Sequence, residues 1–241
     1  MRRAIAIVGV LAFVLAAAGV SYAVPLSDLL NGGSITAGDK LFDNWTYTYD
    51  TSDPSRSFNA ANIEVTALTG GGLNPGPGLS FFASNNELLV AGDGVYAFVD
   101  LMFGFRVSVL DPGYKIKDNS LTLTTADVAP SGDNGSYIME TIGTAPMASN
   151  LGTNNVEYSW LDPSFNGPGL IANISSYANF APQSEVWVTN NILVWASDTT
   201  EMAGVGLFEQ RFSQVPAGLP EPGMLALLAL GGVALLRFKR G

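Results

Sequence analysis

The sequence predicts an all-β domain, an antiparallel β-sandwich or jelly-roll-like fold. Three observations carry that expectation. Short apolar segments alternate with period two, turn clusters rich in Gly, Pro, Asn and Asp separate them, and residues 24–215 contain no helical periodicity beyond one turn at Leu26–Leu30.

In chain order, the alternation first appears at Trp45, Tyr47 and Tyr49, set against Thr46 and Thr48. Asp50 to Ser57 reads as a turn, and residues 62–68 as a strand with Ile63, Val65 and Ala67 on one face. Gly70-Gly71-Gly72 and Asn74-Pro-Gly-Pro-Gly78 forbid regular structure, and short strands are expected at 79–83 and 88–91. The clearest signal runs from Val95 to Val109, where every odd position is apolar, so one long strand, or two with a bend at Gly104, is expected with one face in the core. Asp111-Pro-Gly-Tyr114 is a turn, followed by Ile116 and a strand at 120–125. Residues 131–136 read as a loop, and strands are expected at 137–142, 156–160 and 170–177. Two short strands separated at Asn190-Asn191 are expected within 185–195, and a last strand over 204–214. Asn74-Pro-Gly-Pro-Gly-Leu79 is echoed by Asn166-Gly-Pro-Gly-Leu170, which leaves open one domain or two half-domains.

Both ends of the chain read as targeting segments. Arg2 and Arg3 precede an apolar run from Ala4 to Val20, and Ser21-Tyr22-Ala23 fits a small-x-small cleavage site. Residues 1–23 are therefore a signal peptide, with Ser21 and Ala23 at the signal peptidase site. At the other end, Pro220-Glu221-Pro222 breaks any regular element and presents one charge between two stiff residues. An apolar run of 14 residues, Gly223 to Leu236, follows, and the chain closes on Arg237, Phe238, Lys239 and Arg240. That run is short against the roughly 20 residues of a full crossing, while the basic cluster Arg237, Lys239 and Arg240 suits a cytoplasmic membrane stop.

The three-part order of residues 216–241 resembles the PEP-CTERM sorting tail of Gram-negative bacteria. The resemblance implies export through the inner membrane, transient anchoring by a C-terminal hydrophobic helix, and processing by an exosortase. It also implies delivery to the cell surface or to an exopolysaccharide-rich biofilm matrix. Gly38 to Tyr47, a G-D-K-x-F-x-N-aromatic-x-Y run, is similar to a segment near the mature N-terminus of many tail-bearing proteins.

Composition narrows the chemistry of the remaining domain, residues 24–215. It carries 6 basic and 20 acidic residues, a net charge of −14, which repels nucleic acid and anionic lipid. The chain has no Cys and no His. Disulfides, thiolate metal sites, Ser-His-Asp catalysis and imidazole acid–base chemistry are thereby excluded.

Three candidate constellations remain. Calcium is an option left open, since Asp50, Asp53, Asp111, Asp118, Asp127, Asp133 and Asp162 lie in or beside expected loops, but none forms a D-x-[DN]-x-[DN]-G loop. Trp45, Trp160, Trp187 and Trp195 could stack on sugar rings if a sheet face exposes them. Glu64, Glu140, Glu157 and Glu185 fall on expected strands, where a glycan hydrolase would place its acidic pair. The first reading is a non-catalytic structural or adhesive surface protein linked to exopolysaccharide, with no catalytic residues, no metal and no cofactor. The alternative is a lectin-like polysaccharide-binding module, with or without calcium; a carboxylate-dependent hydrolase ranks behind both.

Overall fold

The computed structural model describes residues 23–218. The sorting motif Pro220, Glu221 and Pro222, the basic cluster Arg237, Lys239 and Arg240, Ser21, and the segments where terminal helices are expected lie outside the described residues. Ala23 is inside them, at the head of the first strand.

Fifteen strands follow in chain order. They begin β1 (Ala23–Pro25), β2 (Ile35–Ala37), β3 (Lys40–Thr51), β4 (Ile63–Leu68) and β5 (Gly78–Ala83). Next come β6 (Leu89–Ala91), β7 (Ala97–Val109), β8 (Tyr114–Val128), β9 (Asp133–Gly143) and β10 (Gly152–Leu161). The last are β11 (Gly169–Asn173), β12 (Ser175–Gln183), β13 (Glu185–Ala196), β14 (Met202–Arg211) and β15 (Gln214–Pro216). One short helix, α1 (Leu26–Leu30), stands where the sequence places a helical turn.

All pairings are antiparallel, and the strands form two sheets. The front sheet has the order β1-β4-β5-β14-β8-β12, with β15 paired to β8 and β6 to β14. The back sheet has the order β11-β10-β9-β13-β7-β3-β2. One buried apolar cluster lies between them, so the fold is an antiparallel β-sandwich. Gly78 and Gly169, the last glycines of the two Pro-Gly echoes, open β5 in the front sheet and β11 at the edge of the back sheet.

The period-two pattern of β7 does most of the core-building. Val99, Leu101, Phe103, Phe105 and Val107 are all buried, and each such side chain contributes roughly 1.5–3 kcal/mol. Phe81 bridges the sheets, 5.2 Å from Phe103 and stacked at 4.7 Å on Phe208, while Trp45 lies 4.6 Å from Phe105. Trp45 is therefore a core residue and no sugar platform.

The strand expected from Val95 begins later. Val95 is 82% exposed because Asp93 accepts its N–H and holds the chain in a turn before it enters the sheet. Polarity hid other strands. β8 extends over Tyr114–Val128 through Lys115, Lys117, Asp118 and Asn119, and β9 starts at Asp133 inside the expected loop. Asn190-Asn191 does not interrupt β13, which pairs continuously with β7 from Glu185 to Ala196. Residues 170–177 split between β11 and β12, and the chain changes sheets at Ile174.

A polar layer crosses the core beside the aromatic cluster. Glu140 on β9 is registered between Asn190 on β13 and Asn154 on β10, and all three are buried. Asn154 Nδ2 donates to Glu140 Oε1 at 2.9 Å and to Asn119 Oδ1, from the opposite sheet, at 2.7 Å. Gln210, also on the front sheet, donates to Asn190. Burial pushes the Glu140 carboxyl up to about 7, against the opposing pull of hydrogen bonds from Asn154 and Gln210.

Candidate functional site

The outer face of the back sheet is where the chain combines concavity with exposed aromatic and hydroxyl side chains. Because the strands alternate, one set of residues faces outward in registered rows. One row reads Thr46, Gly104, Thr189, Thr141, Thr153 across β3, β7, β13, β9 and β10. The next reads Thr48, Met102, Asn191, Met139, Asn155 across the same strands.

Gly104 creates the depression in the first row. A Cβ there would stand 3.0 Å from the Val188 carbonyl oxygen and 3.3 Å from Thr189 Oγ1, so the floor is bare backbone flanked by threonine hydroxyls. Trp187 rises on one side. Its registered neighbour on β9 is Gly143, against which the Ala148 carbonyl packs; a Cβ on Gly143 would lie 2.3 Å from it. That approach folds the 144–150 loop back beside Trp187 and sets Pro146 and Met147 on the rim, with Met147 73% exposed. Met102 forms the opposite wall. The result is an apolar-walled trough of about 300 Å³ with a hydroxyl-lined floor.

The trough sits in an acidic surround. Arg106, registered with Trp187, donates through Nε and Nη2 to Asp43 at 2.9 and 2.8 Å, and its Nη1 lies 3.5 Å from Glu185. The hydrogen bonds to Asp43 raise the guanidinium's pKa, so its charge is permanent and already neutralised. Asp50 and Asp100 face each other across β3 and β7, one row beyond Thr48 and Met102. Burial raises the Asp100 carboxyl's pKa, Asn191 opposes the shift by hydrogen bonding, and the Asp50 charge adds to it.

Four aromatic side chains, Trp187, Trp195, Tyr137 and Phe98, share this outer face and are all partly exposed. The indole of Trp195 lies over Gly135, where a Cβ would meet it at 2.9 Å. Trp160 stands on the inward register of β10, opposite Leu170 of β11.

The aspartates named as calcium candidates are dispersed. Asp53 and Asp111 cap their own turns through Ser55 N and Gly113 N, each at 2.8 Å. Asp118 is buried on β8, where Tyr177 Oη and Ser213 N donate to it. Its carboxylate pushes the Tyr177 phenol up to about 12. Asp127 is exposed on β8, and Asp133 accepts from Asp162 N at 3.0 Å, the one contact within the set. Among the described residues no group of three acidic, His or Cys side chains is placed to hold a metal ion.

The strand glutamates are equally scattered. Glu64 is exposed on the front sheet and Glu140 is sealed between the sheets. Glu157 accepts from Ser159 Oγ at 2.6 Å, and Glu185 lies beside Arg106. The sequence marks Gly104 only as a possible bend and gives the floor threonines no role. The signal was present in the Trp-Thr-Tyr-Thr-Tyr alternation of residues 45–49 and in the glycine inside β7, but only pairing aligns Thr46 with Thr189.

No family model and no curated protein matches the sequence. Among solved structures, a carbohydrate-binding module in complex with beta-1,4-galactotriose is similar at 11% identity and a TM-score of 0.23, covering 71% of this chain and 88% of that one. The enzymatically active domain of tailspike protein 4 from bacteriophage CBA120 is similar at 12% identity and a TM-score of 0.22, covering 72% of this chain and 19% of that one. A carbohydrate-binding module of the beta-sandwich superfamily is similar at 11% identity and a TM-score of 0.22, covering 79% and 60%. At scores of that size the β-sandwich rests on the strand pairing itself.

Proposed function

We propose that this chain is an exported surface or matrix protein that binds polysaccharide, without catalysis, in the trough on the outer face of the back sheet. The observation that carries the reading is the trough. Trp187 offers a flat apolar ring, Met102 and Met147 offer adaptable walls, and Thr46 and Thr189 offer hydroxyls that can donate to and accept from sugar hydroxyls. A row of four threonines and Gly104 continuing across five strands suits an extended chain better than a compact ligand.

Charge narrows the glycan class. Asp43, Asp50, Asp100 and Glu185 surround the trough and Arg106 is already paired, so neutral or amine-bearing glycans are favoured and uronate-rich ones disfavoured. Titration calorimetry against neutral, aminated and uronate polysaccharides tests this. Binding of the first two classes that is lost in Trp187→Ala is the expected result. Absence of binding to all three, or equal binding by Trp187→Ala, overturns it.

Delivery belongs to the same proposal. The leader, with Ser21 and Ala23 at its cleavage site, and the PEP-CTERM-like tail support export and processing by signal peptidase and an exosortase. The hydrophobic run would hold the chain in the membrane until Pro220-Glu221-Pro222 is processed. Glu221→Ala, or deletion of residues 237–240, should accumulate unprocessed precursor in the membrane fraction. Identical mature product from both variants refutes the sorting reading.

A further inference from the structure

Lys40 is 0% exposed, on the inward register of β3 next to Phe42. Its Nζ donates to Asp39 Oδ1 at 2.7 Å and to the side-chain carbonyl of Gln214, itself 8% exposed. The pair is separated by 174 positions and joins β3 of the back sheet to β15 of the front sheet.

The backbone that carries the carboxamide is held in place. Gln214 N donates to the Leu73 carbonyl at 2.9 Å, and Gln214 is registered with Ile116. Ser213 N donates to buried Asp118, and Lys117 N donates to the Ser213 carbonyl. The Phe42 and Phe212 rings stand 5.8 Å apart beside this contact. The other oxygen of Asp39, Oδ2, is buried with no hydrogen-bond partner.

We propose that Lys40 and Gln214 join in an intramolecular amide cross-link, with Asp39 moving the protons. The Lys40 ammonium first passes one proton to the Asp39 carboxylate, leaving a neutral amine and a neutral acid. The Nζ lone pair then adds to Cδ of Gln214, forming the new C–N bond and a tetrahedral centre. Asp39 delivers its proton to Nε2 and takes the second proton from Nζ. The old C–Nε2 bond breaks, ammonia leaves, and a secondary amide remains with Asp39 protonated. No oxidant or co-reactant is consumed.

Desolvation lowers the pKa of Lys40, against the opposing effect of the Asp39 contact, and so favours the amine that must attack. Fixed proximity replaces the encounter of two reactants, and exclusion of water removes the competing hydrolysis. An exported domain without cysteine has no disulfide to restrain its unfolded state. This link would close almost the whole domain into one loop, a constraint of the same kind. It would also anchor β15 to β3, the first long strand, independently of what the trough binds.

The test is the mass of the purified, denatured full-length chain and its tryptic map. The expected result is a deficit of one ammonia molecule, no cleavage after Lys40, and a branched peptide joining the Lys40 and Gln214 segments. Lys40→Arg and Asp39→Asn should both lack the branched peptide, with circular dichroism reporting their fold. A folded wild-type chain with full sequence mass and tryptic cleavage after Lys40 overturns the cross-link, whatever the variants do. A cross-link persisting in Asp39→Asn overturns the role given to Asp39.

Discussion

Glu140→Gln should make the protein more stable at neutral and alkaline pH while leaving it unchanged in acid. Glu140 is sealed between the sheets, and its carboxyl is raised from an ordinary 4.5 to about 7, chiefly by burial. The folded state therefore binds a proton more tightly than the unfolded state does. Between those two values the unfolded chain has released a proton that the native chain still holds, so stability falls as pH rises. The contribution is fully present below 4.5 and is lost by the time pH has passed 7. The interval converts to about 3 kcal/mol at 1.36 kcal/mol per unit.

Glutamine keeps the acceptor that Asn154 uses and carries no charge into the interior at any pH. Urea midpoints of wild type and variant, measured from pH 4.5 to 8.5, isolate this group because every other titration is shared. The curves should coincide at the acid end and separate by about 3 kcal/mol at the alkaline end, or roughly 6–12 °C in Tm for a domain of this size. Parallel curves with a constant offset would refute the assignment of pH sensitivity to Glu140.

Other substitutions probe the core and the trough separately. Phe103→Ala, which removes a buried ring packed on Phe81 and Phe105, should cost about 3–5 kcal/mol in urea unfolding. Gly78→Ala places a Cβ 1.9 Å from the Gln210 carbonyl oxygen, so β5 and β14 must part; a loss of about 1–3 kcal/mol in the same assay is expected. Trp187→Ala should weaken glycan binding at least tenfold, about 1.4 kcal/mol, and leave the urea midpoint within about 1 kcal/mol of wild type. A large fall in stability instead would mark Trp187 as structural.

The all-β class and the core face of β7 were legible because burial of one sheet face imposes a period of two directly on the residues. Strand ends were less legible. β8 and β9 extend through charged and amide residues because antiparallel pairing satisfies the backbone whatever side chain it carries, and buried amides meet across the interior, Asn154 with Asn119 and Gln210 with Asn190. Whether any tryptophan faces solvent was left open by the sequence, since nothing local distinguishes Trp187 on the rim from Trp45 in the core. Both lie on alternating strands among threonines and aliphatics.

By itself the sequence determined the strand-rich class, the acidic charge and the absence of cysteine and histidine chemistry. These are properties of composition and short-range order. Tertiary structure alone decided that Thr46, Gly104 and Thr189 form one trough floor, that Glu140 is enclosed by amides from four strands, and that Lys40 meets Gln214. Each depends on strand register and on the stacking of two sheets, which bring together residues too far apart in the chain for any local pattern to connect.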